Sequence, residues 1–335
     1  MRQLLKIFAI TSLVFTHTAC AHTPKITAEF KSFAAEMEKK HDIPASEVEQ
    51  LLNGTVFRDD IIAAITRPAE AKPWHQYRPI FLKPDRIKGG VKFWQENEPL
   101  LNSVSKAYGV PPEIIVAIIG VETRYGKFTG RYRILDSLTT LAFGYPKRAA
   151  FFRSELEQYL LLSREESVDM QSAKGSYAGA MGKPQFISSS YRRYAVDHDG
   201  DGKRDLFNNN ADIIASVANY FKVHGWRAGE PITLQAKASE TSSLQRYVDA
   251  GMKPSIAVKD LLAGGLRPLN NSTAPDPAAL SSLIKLDAGG HDEYWLGLHN
   301  FYVITRYNHS NLYAMAAYQL SREIMAAKQA AEAKQ

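Results

Sequence analysis

A glutamate that directly follows a run of apolar residues is the position where the sequence best supports acid catalysis. Residues 114–121 are all apolar or glycine, and Glu122 comes next. Pro111 and Pro112 are typical of a helix start and Gly126 of a helix end, so we predict one short helix without a solvent-facing side. Burial and the negative end of this helix disfavour a charged carboxylate, so the pKa of Glu122 should be raised, as a general acid requires. Two basic residues that follow Glu122 favour its charged form and so lower its pKa. The alternative to a buried acid is a glutamate whose side chain is exposed to solvent.

A glycine-rich segment at 175–186 offers the contacts that sugars need. Its small residues let a ligand approach the backbone closely. Ser176 and Gln185 provide hydrogen-bonding groups, while Tyr177 and Phe186 provide apolar faces. The alternative is a structural turn without a ligand.

A third segment has the spacing of a calcium-binding loop. Asp197, Asp199 and Asp201 take loop positions one, three and five, and Gly202 takes position six. In an EF-hand, alternating carboxylates converge on one Ca²⁺ and the glycine forms the sharp bend. We therefore expect a structural Ca²⁺ ion here.

The end of this loop departs from the EF-hand pattern. Position twelve is Asn208 instead of glutamate, and the next acid is Asp212. Either Asp212 closes a longer loop, 197–212, with the Lys203 carbonyl contributing, or the site is weak. A solvated turn without an ion is the remaining alternative.

A fourth polar and aromatic segment, 307–313, precedes a predicted helix, which Asn308 or Ser310 could cap. His198 and His309 lie in polar loops without a pattern for metal ligation. The sequence contains neither a phosphate-binding glycine loop nor a serine-hydrolase elbow, so we expect no organic cofactor.

The composition describes a folded protein with a mild positive charge. The chain has 335 residues, of which 45% are hydrophobic and 10% aromatic, and its formal net charge is +6. Without Arg2 and Lys6, which a cleaved signal would remove, the charge is 6 − 2 = +4. Because this surplus is small and unclustered, we expect no nucleic-acid partner, whereas an anionic polymer is compatible.

Residues 1–20 have the pattern of an export signal: a basic start, a short apolar run and small residues around Cys20. Cys20 is the only cysteine, so no intramolecular disulfide can form. Its position predicts a lipid-modified cysteine that anchors a periplasmic protein to the outer membrane. The alternative is cleavage at the small residues around Cys20, which would leave a soluble periplasmic protein.

The remaining pattern predicts a mainly α (α+β) fold. Residues 67–73 resemble a linker, and Trp74, Tyr77 and Phe81 follow in a proline-rich stretch predicted to be extended. Prolines and glycines punctuate short apolar runs between Trp226 and Tyr294, which predicts a small loop-rich subdomain with short strands. A long C-terminal helix is predicted from Leu312 to Ala331.

Four motifs, in this order, resemble the bacterial membrane-bound lytic murein transglycosylase B family. They are 121–126, 179–186, the acidic loop followed by 216–221, and Tyr307-Asn308. The resemblance implies a lysozyme-like helical catalytic core with an α-helical domain and a small inserted β-containing subdomain. The expected domains are 24–85 (α-helical), 86–228 (catalytic core), 229–294 (inserted subdomain) and 295–335 (the end of the core and the terminal helix).

The resemblance also implies roles for individual residues. Glu122 matches the family's single catalytic acid. Residues matching glycan-contacting positions are Ser176, Gln185, Tyr220, Tyr307, Asn308, Tyr77, Phe186, Arg148 and Tyr313. Residues matching the family's longer calcium loop are Asp197, Asp199, Asp201, Lys203 and Asp212.

The implied activity is non-hydrolytic cleavage of the β-1,4 bond between N-acetylmuramic acid and N-acetylglucosamine in peptidoglycan, with a 1,6-anhydro product. Because Glu122 has no obvious partner acid, it would act first as acid and then as base. Two alternatives remain open. One is a hydrolytic muramidase with Asp136 or Asp169 as second acid, and the other is a non-catalytic, calcium-stabilised wall-binding protein. We expect a monomer.

Overall fold

The computed structural model describes residues 21–22, 28–67, 72–166, 168–239, 244–269 and 275–333. The predicted signal and Cys20 lie outside these residues. The described chain is mainly helical with a small sheet, so the predicted mainly α (α+β) class is confirmed.

The helices are distributed along the whole described chain. They are α1 (Ala28–His41), α2 (Ala45–Asn53), α3 (Asp59–Ile65), α4 (Trp74–Phe81), α5 (Pro84–Glu96), α6 (Glu98–Tyr108), α7 (Pro112–Thr123), α8 (Ile134–Gly144), α9 (Ala149–Glu166), α10 (Ser188–Tyr194), α11 (Asn210–Val223), α12 (Gln245–Val248), α13 (Val258–Ala263), α14 (His299–Thr305) and α15 (Asn311–Glu332). A short 3₁₀ helix spans Pro146–Arg148.

The strands form one antiparallel five-stranded sheet and two short pairs. They are β1 (Ala21–His22), β2 (Phe57–Arg58), β3 (Tyr132–Arg133), β4 (Lys174–Gly175), β5 (Thr233–Ala238), β6 (Ile256–Ala257), β7 (Leu266–Pro268), β8 (Leu280–Asp287) and β9 (Asp292–Gly297). The larger sheet has the order β6-β8-β9-β5-β7, and its β8–β9 hairpin pairs Asp287 with Asp292.

Two hydrophobic cores lie beneath these elements. The larger core includes α7 and extends from Phe30 to Ile324, so the N-terminal helices pack in the same core as the central ones. A smaller core, from Ala236 to Leu298, lies against the five-stranded sheet. The domain boundaries at 85, 228 and 294 stay a prediction.

Helix α4 replaces the stretch that the sequence analysis predicted to be extended. Pro73 is its N-cap residue and Pro79 lies within it. The three aromatic residues, Trp74, Tyr77 and Phe81, have helical spacing, and Trp74 and Tyr77 are buried. Packing of this aromatic face against the rest of the protein outweighs the poor helix propensity of proline, so the extended prediction was wrong.

Helix α7 is buried as predicted. Every residue from Ile114 to Val121 is less than a tenth exposed. The helix packs against α5, α6, α11 and α15, which surround it because it has no polar face. Among the described residues, no single helix is long and apolar enough to cross a membrane, although α6 and α7 pass that test as a pair bent by 111°.

Candidate active site

The end of helix α7 differs from the prediction. Gly126 was expected to terminate the helix, but the C-cap residue is Arg124, which adopts the left-handed conformation with φ 49°. Tyr125 follows with φ 61° and Gly126 with φ 89°. Left-handed backbone is unfavourable for residues other than glycine, so the surrounding structure must hold this turn.

Tyr125 supplies much of that support. Its ring lies against glycines of α5 and α7, and a Cβ atom on Gly90 or Gly120 would lie 2.6 or 2.5 Å from its hydroxyl oxygen. The hydroxyl donates a hydrogen bond of 2.9 Å to the Arg86 carbonyl, and burial raises the Tyr125 pKa. These glycines therefore make space for the ring that fixes the turn after Glu122.

Thr123 connects the same turn to the glycine-rich segment. Its hydroxyl donates to the Lys183 carbonyl at 2.9 Å, and it accepts a hydrogen bond from the Gly126 amide at 3.0 Å. Two segments that lie 60 residues apart are thus joined next to Glu122.

Glu122 is half-buried, and Tyr313 at the start of α15 contacts it directly. The Tyr313 hydroxyl donates to Glu122 Oε1 at 2.5 Å, and Tyr313 is only 3% exposed. Burial, and then the charge of Glu122, raise the pKa of Tyr313 well above its ordinary value. Tyr313 therefore keeps its proton and stays a hydrogen-bond donor to the carboxyl group.

Aromatic rings from three segments pack next to this pair. Tyr307 is stacked on Tyr313, with ring centroids 6.4 Å apart, and lies 5.8 Å from Phe186 and 4.8 Å from Tyr220. The hydroxyls of Tyr307 and Tyr220 donate to the carbonyls of Pro184 and Arg306 at 2.6 and 2.5 Å. These two tyrosines are therefore held by their hydroxyls as well as by the packing of their rings.

Ser176 and Gln185 mainly hold the glycine-rich segment together. The Ser176 hydroxyl accepts hydrogen bonds from the amides of Ala178 and Ala180 at 3.2 and 3.0 Å. The Gln185 side-chain amide donates to the carbonyls of Thr129 and Gly182 at 3.0 and 2.9 Å. Their predicted contacts with glycan stay a prediction.

Three other residues predicted to contact glycan have different surroundings. Tyr77 is buried in α4, where its ring lies 6.4 Å from that of Trp74 and 5.0 Å from that of Phe81. Asn308 is half-buried between Tyr307 and the helix-capping Ser310. Arg148 is exposed, and its described contacts are with the rings of Phe151 and Phe152, 4.1 and 5.3 Å from its guanidinium carbon.

A cavity of about 280 Å³ opens at Glu122 and includes residues that the sequence analysis did not select. It is lined by Arg86, Val121, Glu122, Thr123, Arg124 and Phe128. Arg86 is 5% exposed, and two of its guanidinium nitrogens have no hydrogen-bond partner among the described residues. Phe128 is 63% exposed at the cavity, under Arg124. An aromatic residue so soon after Glu122 was a usable signal, whereas nothing in the sequence distinguishes Arg86.

The two acids considered as partners of Glu122 are engaged elsewhere. Asp136 is buried and accepts hydrogen bonds from the Val56 amide and the Arg133 guanidinium, both at 3.0 Å. Asp169 is exposed and accepts from the Gln171 amide at 2.8 Å. Neither residue lines the Glu122 cavity.

In the acidic loop, three carboxylates converge. Oxygen atoms of Asp197, Asp199 and Asp212 all lie within 4.8 Å of one another. Asp212 is fully buried, and its carboxylate accepts from the amides of His198 and Asp205, both at 2.8 Å. Burial, followed by the charges of Asp199 and Asp197, raises the pKa of Asp212.

Asp201 lies beside this group instead of within it. Its carboxylate accepts from the Lys203 amide at 2.8 Å, which holds the loop around Gly202. Asp212, and not position twelve, completes the acidic cluster, in agreement with the longer-loop alternative. Oxygen-rich clusters of this kind suit Ca²⁺.

A mainly helical fold with a carboxyl group at the end of a buried helix, beside an aromatic cluster, places the protein in the lysozyme-like class of glycan-cleaving proteins. Comparison with known proteins makes this specific. Residues 25–322 match the family model described as the transglycosylase SLT domain. The chain is also 42% identical over 311 residues, 89% of its length and 83% of the relative's, to membrane-bound lytic murein transglycosylase B of Escherichia coli strain K12. The chain therefore belongs to the transglycosylase SLT domain family.

Solved structures agree with this assignment. The soluble lytic transglycosylase SltB1 of Pseudomonas aeruginosa matches with a TM-score of 0.83 and 46% identity, over 90% of this chain and 99% of that one. Escherichia coli Slt35 in complex with calcium matches with a TM-score of 0.79 and 42% identity, over 90% of this chain and 94% of that one. Pseudomonas aeruginosa SltB3 in complex with NAG-NAM-pentapeptide matches with a TM-score of 0.78 and 30% identity, over 89% of this chain and 79% of that one.

Proposed function

We propose that this protein is a peptidoglycan lytic transglycosylase in which Glu122 acts alone, first as acid and then as base. The observation that carries the proposal is the position of Glu122. It is the only acid among the described residues that line its cavity, and it is held by the Tyr313 hydroxyl at 2.5 Å. A mechanism with one carboxyl group needs no second acid if the substrate supplies the nucleophile.

In the proposed reaction, Glu122 gives up one proton and later takes one back. Protonated Glu122 donates to the glycosidic oxygen between N-acetylmuramic acid and N-acetylglucosamine, and the bond from that oxygen to C1 breaks. The 2-acetamido group stabilises the positive charge at C1. Ionised Glu122 then accepts the proton of the muramoyl 6-hydroxyl as its oxygen bonds to C1, which gives the 1,6-anhydro sugar without water.

Tyr313 orients the acid in this scheme. Its hydrogen bond fixes the Glu122 carboxyl group and favours the ionised form that exists between the two proton transfers. Burial of the helix end acts in the opposite sense and favours the neutral form. The raised Glu122 pKa expected from the sequence therefore depends on the balance of the two effects and stays a prediction. Both forms must be accessible to one group that gives and then takes a proton.

The aromatic cluster is the proposed wall of the glycan site. Tyr307 is partly exposed, and its ring supplies apolar surface for a sugar face, while the buried rings of Phe186 and Tyr220 pack behind it. Tyr77 is buried in α4 and would support this wall from within the core. Because the hydroxyls of Tyr220 and Tyr307 bond to backbone carbonyls, we propose that these two tyrosines contribute shape more than hydrogen bonds.

We further propose that the acidic loop holds a structural Ca²⁺ ion. Asp197, Asp199 and Asp212 would bind it, with Asp201 and the Lys203 carbonyl completing the oxygen set. The ion would neutralise carboxylates that otherwise repel one another at the start of α11. Slt35, whose structure contains calcium, supports this assignment.

The proposed cellular location rests on the N-terminal sequence pattern. We propose that the protein is periplasmic and is anchored to the outer membrane through lipidated Cys20. The membrane-bound relative supports the anchor. A soluble periplasmic protein is the alternative, and radiolabelled fatty acid incorporation into Cys20 distinguishes the two.

Product identification on purified murein tests the proposed chemistry. We expect mass spectrometry to find 1,6-anhydro-muramoyl ends. Reducing, hydrated ends would contradict the proposal and favour a hydrolytic muramidase. In that case Asp136→Asn and Asp169→Asn would show which acid activates water. The absence of any cleavage would favour the wall-binding alternative.

A further inference from the structure

One aromatic side chain beside Glu122 has no role in the proposed reaction. Phe128 lies in the loop after helix α7, lines the Glu122 cavity of about 280 Å³ and is 63% exposed. The other exposed large apolar residues among those the structure describes are Phe151, Val223 and Leu280, at 37%, 53% and 54%, and none of these three lines the cavity. A single exposed apolar residue is ordinary on a protein surface. Phe128 differs because it is the most exposed of the four and lies at the acid.

The loop that carries Phe128 is held on both sides of this residue. The Phe128 amide donates to the Thr123 carbonyl at 3.0 Å, and the Thr129 carbonyl accepts from the Gln185 side chain at 3.0 Å. Gly130 follows, and a Cβ atom there would lie 2.0 Å from a backbone carbonyl of the glycine-rich segment. The backbone is thus anchored while the side chain is exposed. A ligand that covers the ring therefore need not first order the loop, which lowers the entropic cost of binding.

Arg124 gives this ring a polar neighbour. Its guanidinium carbon lies over the Phe128 ring, 5.2 Å from the centroid, and Arg124 lines the same cavity. The cation is attracted to the negative ring face, and its N–H groups can donate to oxygens of a ligand. An aromatic ring beside a hydrogen-bond donor suits a sugar, because the C–H groups of a pyranose can cover the ring while its hydroxyl and acetamido oxygens accept hydrogen bonds.

The cavity with Phe128 is separate from the aromatic cluster that forms the proposed wall of the glycan site. None of the rings of Phe186, Tyr220 and Tyr307 lines the cavity. Glu122 belongs to both places, because it lines the cavity and accepts the hydrogen bond of Tyr313, on which Tyr307 is stacked. A strand with its scissile bond at Glu122 would therefore contact the cluster with one sugar and the cavity with a neighbouring one.

We propose that Phe128 is a stacking platform for one N-acetylhexosamine ring of the glycan strand, a different ring from the one that contacts the aromatic cluster. This inference rests on the proposed function, because it needs a glycan strand at Glu122. The sugar covers the ring of Phe128, and Arg124 donates to one of the sugar's oxygens. Binding thus removes from water apolar surface that the free protein leaves exposed. Phe128 contributes affinity for the strand and takes no part in proton transfer, which separates its role from that of Glu122.

Steady-state kinetics on glycan strands from which an amidase has removed the peptides test this role. In Phe128→Ala we expect KM to rise about 10-fold, because the apolar contact is lost, while kcat stays within about twofold of the wild type, as for loss of binding alone. Phe128→Trp keeps an aromatic face and should keep the wild-type KM. Leu280→Ala, which removes another exposed apolar side chain, is the matched control and should change neither value. An unchanged KM in Phe128→Ala, or a fall in kcat at constant KM, would overturn the inference.

A fluorescence measurement tests the platform without turnover. In Glu122→Gln/Phe128→Trp the introduced indole lies at the platform, so its emission should move to shorter wavelength when stripped strands cover it. Glu122→Gln alone gives the contribution of the native tryptophans, which is subtracted. Strands that bind by calorimetry without changing this emission contradict the platform, and so does failure of Glu122→Gln to bind strands at all. A wild-type protein that cleaves no strand would instead contradict the proposed function, and the emission would still decide whether Phe128 contacts glycan.

Discussion

Two acidic regions of this protein place the same functional group in opposite surroundings. Glu122 is the only carboxylate lining its cavity in the described structure, and its identified donor is the hydroxyl of Tyr313. In the acidic loop, by contrast, Asp197, Asp199 and Asp212 approach within 4.8 Å, and several backbone amides donate to them.

The comparison shows how surroundings assign roles to carboxyl groups. A carboxyl group that lines a cavity without a second acid can serve both as proton donor and as proton acceptor for a substrate. Three converging carboxylates repel one another and therefore favour a divalent cation. We accordingly expect substitutions at Glu122 to affect turnover and substitutions in the loop to affect stability.

The largest expected effect is on turnover in Glu122→Gln. The amide has nearly the same shape but cannot transfer the proton, so kcat should fall by at least about 100-fold, while the melting temperature stays at the wild-type value. Turnover assays on purified murein, with thermal unfolding in parallel, check this. Glu113→Gln, in the first turn of the same helix, is the matched control and should keep its activity. Normal turnover in Glu122→Gln would show that the reaction does not need this carboxyl group, and the contrast between a catalytic Glu122 and a structural acidic loop would fail.

A smaller effect is expected in Tyr313→Phe. Loss of the hydroxyl removes the hydrogen bond to Glu122, and a hydrogen bond to a charged group contributes about 1.5–3 kcal/mol, so kcat should fall at least about 10-fold. Because the ring and its stacking on Tyr307 remain, KM should change little. Tyr302→Phe on helix α14 is the control. A rise in KM with unchanged kcat would show that Tyr313 binds substrate without acting on the acid.

The third prediction concerns the loop and should appear in stability. Removal of Ca²⁺ with EDTA should lower the melting temperature by about 5 °C, since a ligand of the native state at well above its Kd contributes a few kcal/mol. The initial rate at low temperature should change far less. The shift should persist in Glu122→Gln and disappear in Asp212→Asn, with Asp249→Asn as the control. A melting curve that EDTA leaves unchanged in the wild type would contradict an occupied site.

Local pattern was sufficient for the elements that carry both regions. The apolar run at 114–121 predicted the buried helix that ends beside Glu122, because a helix apolar on all sides must lie inside a protein. The spacing of Asp197, Asp199 and Asp201 predicted the acidic loop. Of the two candidate caps of the last helix, Asn308 and Ser310, the structure shows Ser310, whose hydroxyl accepts from the Tyr313 amide at 3.2 Å.

Local pattern was insufficient where distant packing outweighs propensity. Prolines led to an extended prediction at Trp74, Tyr77 and Phe81, whereas burial of these rings forms helix α4. Likewise, Gly126 was the expected helix cap, but helix α7 ends at Thr123. The chain turns there because the Tyr125 ring packs against glycines of α5 and α7.

By itself, the sequence determined the helix that delivers Glu122, the mainly α fold and the order of the motifs, because these depend on periodicity and on spacing along the chain. Only the tertiary structure decided that Tyr313, 191 residues away, donates to Glu122. It also decided that Arg86, from helix α5, lines the cavity at Glu122. The physical reason is that such contacts depend on how separate elements pack, and no local pattern encodes the distance between them.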